Sequence, residues 1–137
     1  MLADLYGIPA NRLQNKTNLL SVLRQALLHE GFHILRRSSF KFPGKHAGVT
    51  GVFLLSESHA AFHTYPEFEY MSLDIFSCGT ADPAAVVHRV GTTLDVAEMD
   101  VSTRTRGRRA VPECGRRKTR RFRCYKRGSA GPLTYRL

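Results

Sequence analysis

Val49-Thr-Gly-Val-Phe-Leu-Leu-Ser-Glu-Ser-His-Ala-Ala-Phe-His-Thr-Tyr65 is the stretch on which the fold turns. Val49 to Leu55 is a short apolar run of the kind that forms a buried strand, and Ala60 to Tyr65 reads as a second. Tyr70 to Phe76 supplies a third. Upstream, Phe40 to Gly48 carries Pro43, Gly44 and Gly48 and reads as a loop, preceded by a strand at Phe32 to Arg36. Leu19, Leu20, Val22, Leu23, Ala26 and Leu27 recur at three- and four-residue spacing, which predicts an amphipathic helix over about 18–30. Thr17 or Asn18 is the expected cap and Gly31 the expected end. Leu2 to Tyr6 is a first strand, broken by Gly7-Ile8-Pro9.

Downstream, Asp82-Pro83 is a helix start, with Asp as cap and Pro at the first helical position. Val86, Val87, Val90 and Leu94 give that helix its apolar face, and Val96 to Thr103 closes the series as a strand. The order is strand, helix, strand, strand, then strand, strand, helix, strand. These two similar halves predict an α+β fold, a two-layer α/β sandwich with a mainly antiparallel sheet and helices on one face. The other sheet face then needs a cover, and a second copy of the chain would complete an αββα arrangement.

At 137 residues the chain is long enough for one domain with a core. Its net charge of +10 is unevenly spread. Residues 1–103 hold 8 Lys/Arg against 10 Asp/Glu, whereas residues 104–137 hold 13 Lys/Arg and one acid, Glu113. The expected organisation is a near-neutral domain over 1–107 and a basic, disordered tail over 108–137. Phe122 and Tyr125 lie among the tail's arginines, so RNA or DNA could bind there through phosphates and stacking, although no recognised nucleic-acid fold accompanies them. No apolar run approaches the roughly 18–20 residues needed to span a bilayer, and the N-terminus lacks the pattern of a secretory signal. Cys78, Cys114 and Cys124 make an odd count without framework spacing, which points to a reducing, cytoplasmic setting.

The deciding stretch also carries chemistry. Ser56 to Glu67 places serines, His59, His63, Tyr65 and two carboxylates in one apolar neighbourhood, and Cys78 ends the next apolar run. Taken singly, each has a plainer reading. The histidines could be buried or a metal pair, Cys78 a small core hydrophobe, Tyr65 core, and Glu67 a solvated turn residue. No further Cys or His stands at zinc-ligand spacing, so no metal is expected. Together they place a candidate nucleophile, a proton carrier near neutrality and a thiol close to one another in sequence.

Leu55-Ser-Glu-Ser-His-Ala-Ala-Phe-His-Thr-Tyr-Pro-Glu67, followed by Asp74-Ile-Phe-Ser-Cys-Gly79, resembles the prokaryotic S-adenosylmethionine decarboxylases, pyruvoyl enzymes made as proenzymes. The resemblance runs from about Leu2 to about Gly107. It implies self-cleavage between Glu57 and Ser58. Ser58 Oγ attacks the Glu57 carbonyl carbon, the amide becomes an ester, and loss of the α-proton opens the ester to dehydroalanine. Hydrolysis leaves a covalent pyruvoyl cofactor derived from Ser58. That ketone forms a Schiff base with the substrate amine, and its adjoining carbonyl accepts electrons as carboxylate leaves.

By the same resemblance His63 is the processing base, Thr50 stands where a serine usually assists processing, and Cys78 is the proton donor in turnover. Glu67 holds the substrate's ribose hydroxyls, Tyr65 contacts the substrate and Phe42 the adenine. S-adenosylmethionine is the implied substrate, its product is the aminopropyl donor for spermidine, and the implied assembly is a homo-oligomer of cleaved chain pairs. Two alternatives stay open: a basic amino acid, arginine or ornithine, as substrate, prompted by the altered loop from Lys41 to His46; and a non-enzymatic, basic-tailed nucleic-acid-binding module. The sequence departs from the family at Thr50, at Asp4 where glutamate is common, and in the loop 40–48, which aligns only with a gap. Strand alternation puts Ser58 and His63 on opposite faces, so a bend or bulge near His59 is expected to bring them together.

Overall fold

The structure, a computed structural model, describes residues 1–106, 121–125 and 134–136. Its elements are β1 (Leu2–Tyr6), α1 (Ala10–Leu13), α2 (Lys16–His29), β2 (Ile34–Lys41), β3 (Val49–Leu55), β4 (Ser58–Tyr65), a 3-10 turn (Pro66–Phe68), β5 (Tyr70–Phe76), α3 (Pro83–Leu94), β6 (Glu98–Ser102), β7 (Arg121–Tyr125) and β8 (Thr134–Arg136). They form one sheet of order β2-β3-β4-β5-β1-β6-β7-β8. Every neighbouring pair is antiparallel.

The alternation of the strands decides which face is covered. Leu5, Val49, Phe53, Leu55, Ala60, Phe62, Leu73, Ile75 and Met99 are buried, and they meet Leu19, Leu23 and Leu27 of α2 and Val86, Val90 and Leu94 of α3. Each fully buried side chain of the size of Phe53 or Phe62 contributes about 1.5–3 kcal/mol. The intervening residues form an open face, on which Leu2, Tyr6, Val52, Leu54 and Tyr65 remain exposed. The α+β sandwich read from the sequence is therefore the observed fold, with both long helices on one side.

Close packing fixes single positions. A Cβ on Gly51 would lie 2.3 Å from Phe62 Cε1, so β3 has no room for a side chain where the Phe62 ring crosses it. Thr64 is the one buried polar residue in the described core. Its Oγ1 accepts from the Val49 N–H at 2.8 Å and donates to the Leu13 carbonyl at 2.9 Å, tying β4 to β3 and to α1. Thr64→Val keeps the shape and leaves both partners unsatisfied. It is expected to lower unfolding free energy by about 1–3 kcal/mol, read as a lower urea midpoint at unchanged slope.

Several boundaries differ from the sequence reading. The cap of α2 is Asn15 rather than Thr17 or Asn18, because its side chain sits three residues before the Asn18 N–H and accepts from it at 3.0 Å. Gly31 follows the helix with φ +80°, as its position predicts. Asp82 caps α3 by accepting from the Ala84 N–H, and Pro83 takes the first position. β2 runs on to Lys41 instead of stopping at Arg36. It is an edge strand and mostly exposed, so it needs no apolar residues through Arg36 to Ser39. The short helix α1 was not expected. In the extension read as disordered, Arg121–Tyr125 pairs with β6 and Thr134–Arg136 with β7; the rest of that extension lies outside the described residues.

Candidate active site

Ser58 begins β4 immediately after a two-residue turn, Ser56-Glu57, with Leu55 and Ser58 paired across it. Two-residue hairpins favour turns with positive φ at the first or at both central residues. Here Glu57, the second, has φ +59°. That geometry normally calls for glycine, and a side chain there costs about 1–2 kcal/mol. The turn is held in place by the Ser56 N–H, which donates to the His33 carbonyl at 2.9 Å. Ser58 Oγ reaches back and donates to the Ser56 carbonyl at 3.3 Å. The strain thus sits on the residue whose carbonyl adjoins the Ser58 nitrogen, beside a folded-back hydroxyl.

Cys78 lies two residues beyond the end of β5, whose last residue Phe76 is in register with His59. It is exposed and has no disulfide. Ser58, Glu57 and Cys78 therefore share one end of the sheet. The His59 and Phe76 rings stand 5.7 Å apart there, and the Arg106 guanidinium lies 5.2 Å from the Phe76 centroid.

The other sequence-predicted residues lie toward the opposite end. Thr50 and His63 face each other across β3 and β4, with Oγ1 and Nδ1 2.9 Å apart. Tyr65 stacks on Tyr70 at 5.3 Å, and Tyr70 on Tyr6 at 5.1 Å, giving a three-ring ladder across β4, β5 and β1. The Tyr70 hydroxyl donates to Asp4 Oδ1. Burial first, and then that carboxylate, push the Tyr70 phenol well above its ordinary range, so its hydroxyl keeps the proton it donates. Glu67 is exposed in the turn after β4. Phe42 follows β2 at the same end and packs edge-on against Phe40 at 5.2 Å.

One expectation is corrected. The β3–β4 register runs unbroken from Thr50–His63 to Leu55–Ser58, with no bulge near His59. Five steps of about 3.3 Å separate Ser58 from His63 by roughly 16 Å along the strand. The open face carries His63, while Ser58 has the opposite parity at the hairpin corner. The candidate residues thus fall into two groups, candidate half-sites: Ser58 with Cys78, and Thr50 with His63, Tyr65, Glu67 and Phe42. The regular ladder of β4 has no residue that would force a kink. The sequence reading does not single out Tyr6, Tyr70, Phe76 and Arg106, which the structure places beside the candidate residues. For Tyr70 and Phe76 the signal was available, since Tyr70, Ser72, Asp74 and Phe76 alternate with Met71, Leu73 and Ile75. Arg106 is one arginine among many, and nothing in the sequence distinguishes it.

Among the described residues no group of three or more His, Cys, Asp or Glu is placed to hold a metal, and no helix is long and apolar enough to cross a membrane. Fold and site define an α+β sandwich whose sheet carries a serine hydroxyl after a strained turn and an imidazole–hydroxyl pair, with a thiol just past the end of β5. The model of the S-adenosylmethionine decarboxylase family matches residues 1–107. The S-adenosylmethionine decarboxylase proenzyme of Picrophilus torridus is 39% identical over 79 residues, 58% of this chain and 59% of that one. The arginine decarboxylase proenzyme of Ignicoccus hospitalis is 35% identical over 81 residues, 58% of this chain and 56% of that one. These two matches span less than two thirds of the relatives' own length. That of the S-adenosylmethionine decarboxylase proenzyme of Syntrophomonas wolfei is longer, 33% identical over 114 residues, 82% of this chain and 89% of that one. The crystal structure of the adenosylmethionine decarboxylase from Aquifex aeolicus superposes with a TM-score of 0.64 at 28% identity, covering 72% of this chain and 81% of that one. The chain belongs to the S-adenosylmethionine decarboxylase family. That family is pyruvoyl-dependent, its pyruvoyl group being formed from a serine by self-cleavage.

Proposed function

We propose that this chain cleaves itself between Glu57 and Ser58 and then decarboxylates S-adenosylmethionine, supplying an aminopropyl donor for spermidine synthesis. The observation that carries the reading is the strained turn, in which Glu57 at φ +59° immediately precedes the family-type serine. The residues present fit a pyruvoyl group at position 58: the strand start is partly exposed, and the Cys78 thiol lies at the same sheet end.

In the cleavage, Ser58 Oγ adds to the Glu57 carbonyl carbon, and the conversion of amide to ester releases the turn from its left-handed conformation. His63, its Nδ1 fixed by Thr50, keeps Nε2 for proton transfer. Once formed, the pyruvoyl group supplies a ketone for the substrate's amine and a carbonyl that accepts the electrons left by the carboxylate. Cys78 then returns a proton to the former α-carbon. Glu67 accepts hydrogen bonds from the ribose hydroxyls, and Tyr65 and Phe42 offer aromatic faces to the sulfonium and the adenine.

The two half-sites become one site when a second copy stacks on the open face with its strands reversed. Ser58 and Cys78 of one chain then meet Thr50, His63, Tyr65 and Glu67 of the other. The exposed Leu2, Val52 and Leu54 on that face support such burial.

Glu57→Gly removes the left-handed strain while leaving the attacked carbonyl in place. Self-cleavage is expected to slow by about 5–30-fold, the equivalent of about 1–2 kcal/mol, followed by electrophoresis after synthesis at low temperature. The substrate is tested by labelled carbon dioxide release from S-adenosylmethionine, arginine and ornithine, with S-adenosylmethionine expected to dominate. Arginine is the second reading. It is favoured by the arginine decarboxylase proenzymes of Ignicoccus hospitalis and Aeropyrum pernix, 35% and 36% identical to this chain over their matched stretches. Faster release from arginine would establish it in place of the first.

A further inference from the structure

We infer that Arg106 is a specificity-determining residue: its guanidinium occupies, from within the chain, the aromatic seat that the guanidinium of an arginine substrate would take. The inference rests on the decarboxylase reading above and deepens it. Phe76 is the last residue of β5. Its ring faces His59, which follows Ser58, and Cys78 lies two residues further on. It is therefore an aromatic surface at the sheet end where the substrate's reacting carbon must come. Arg106 Cζ lies 5.2 Å from the centre of that ring, inside the range of a cation–π contact.

The two substrates named among the relatives differ in what they ask of such a surface. Arginine carries a planar, delocalised guanidinium that stacks on aromatic faces. S-adenosylmethionine carries a compact sulfonium with a nucleoside, whose recognition falls to Glu67, Tyr65 and Phe42. One ring face holds one guanidinium, so an arginine substrate must first displace Arg106. A nucleoside sulfonium need not. The other role open to a cation here, clamping the substrate carboxylate, works against the reaction. It stabilises a charge that the transition state is losing, so it would favour the ground state.

The test compares Arg106→Gln with the unaltered residue in two backgrounds, Phe76 intact and Phe76→Leu, with thermal midpoints checking that each variant folds. Titration calorimetry of free arginine into the uncleaved Ser58→Ala chain gives a reading that does not depend on the cofactor. With Phe76 intact, Arg106→Gln is expected to tighten arginine binding roughly two- to fivefold, the size of an exposed cation–π contact. In the Phe76→Leu background the gain should vanish. In self-cleaved protein with Phe76 intact, the ratio of kcat/KM for arginine over S-adenosylmethionine should rise by a similar factor. An equal gain in both backgrounds would mean that Arg106 acts only through its charge, and no gain in either would mean that it holds no seat; both overturn the inference. So would a fall in kcat for S-adenosylmethionine at unchanged arginine binding, which marks a carboxylate clamp. A cleaved chain that turns over neither amino acid counts against the decarboxylase reading instead, and the binding comparison still decides the role of Arg106.

Discussion

Ser58→Ala is expected to leave one uncut chain where the unaltered protein gives two pieces, residues 1–57 and a longer fragment starting with a pyruvoyl group. Intact-mass measurement separates the outcomes directly. The larger fragment should also lack a free amino terminus and react with carbonyl reagents. Decarboxylation should fall to the uncatalysed level in the variant, a drop of about 10⁶-fold or more on the general scale of enzymic acceleration. Misfolding does not account for such a loss. Ser58 is only partly buried, and its hydroxyl makes a single long bond to the Ser56 carbonyl. Replacing it should move stability by no more than about 0.5 kcal/mol, as for other substitutions away from the core. A chain that remains whole in both forms yet releases carbon dioxide would sink the pyruvoyl reading, and so would activity that depends on added pyridoxal phosphate.

The parts of this molecule legible from sequence are those where local chemistry and burial agree. β3 and β5 have the bounds that their apolar runs predict, Val49–Leu55 and Tyr70–Phe76, and Asp82-Pro83 marks the start of α3. The misses share a physical cause. β2 continues through Arg36 to Ser39 because an edge strand exposed along its length needs backbone pairing more than apolar side chains. β7 is hidden in an arginine-rich run for a similar reason: its backbone pairs with β6, and composition says nothing about pairing. The sequence names candidate site residues but not the distances between them. A motif compact in sequence is long in space when it lies on a strand. Ser58 and Glu67 are nine positions apart, and the strand β4 carries most of that span. Alternation gave the correct faces for Ser58 and His63. The supposition that one chain must bring them together produced the bulge that is not there.

That separation leads to the second large effect. Ser58→Ala and His63→Ala chains, each made alone, should not cleave at the normal rate. The first lacks the nucleophile. The second loses a positioned base, worth about 10²–10⁴ in rate. When the two are co-expressed, random pairing makes about half of the dimers mixed. Each mixed dimer then contains one complete site, built from Ser58 of the His63→Ala chain and from His63 of the Ser58→Ala chain. About half of the His63→Ala chains should therefore cleave at the normal rate, while every Ser58→Ala chain stays whole. A site enclosed within one chain predicts no rescue at any ratio. Normal cleavage by the His63→Ala chain alone would remove His63 from the chemistry, and a chain that cleaves while light scattering finds it monomeric would remove the partner. Within one chain the unbroken β3–β4 ladder leaves roughly 16 Å between two groups that proton transfer needs within about 3 Å or one bridging water.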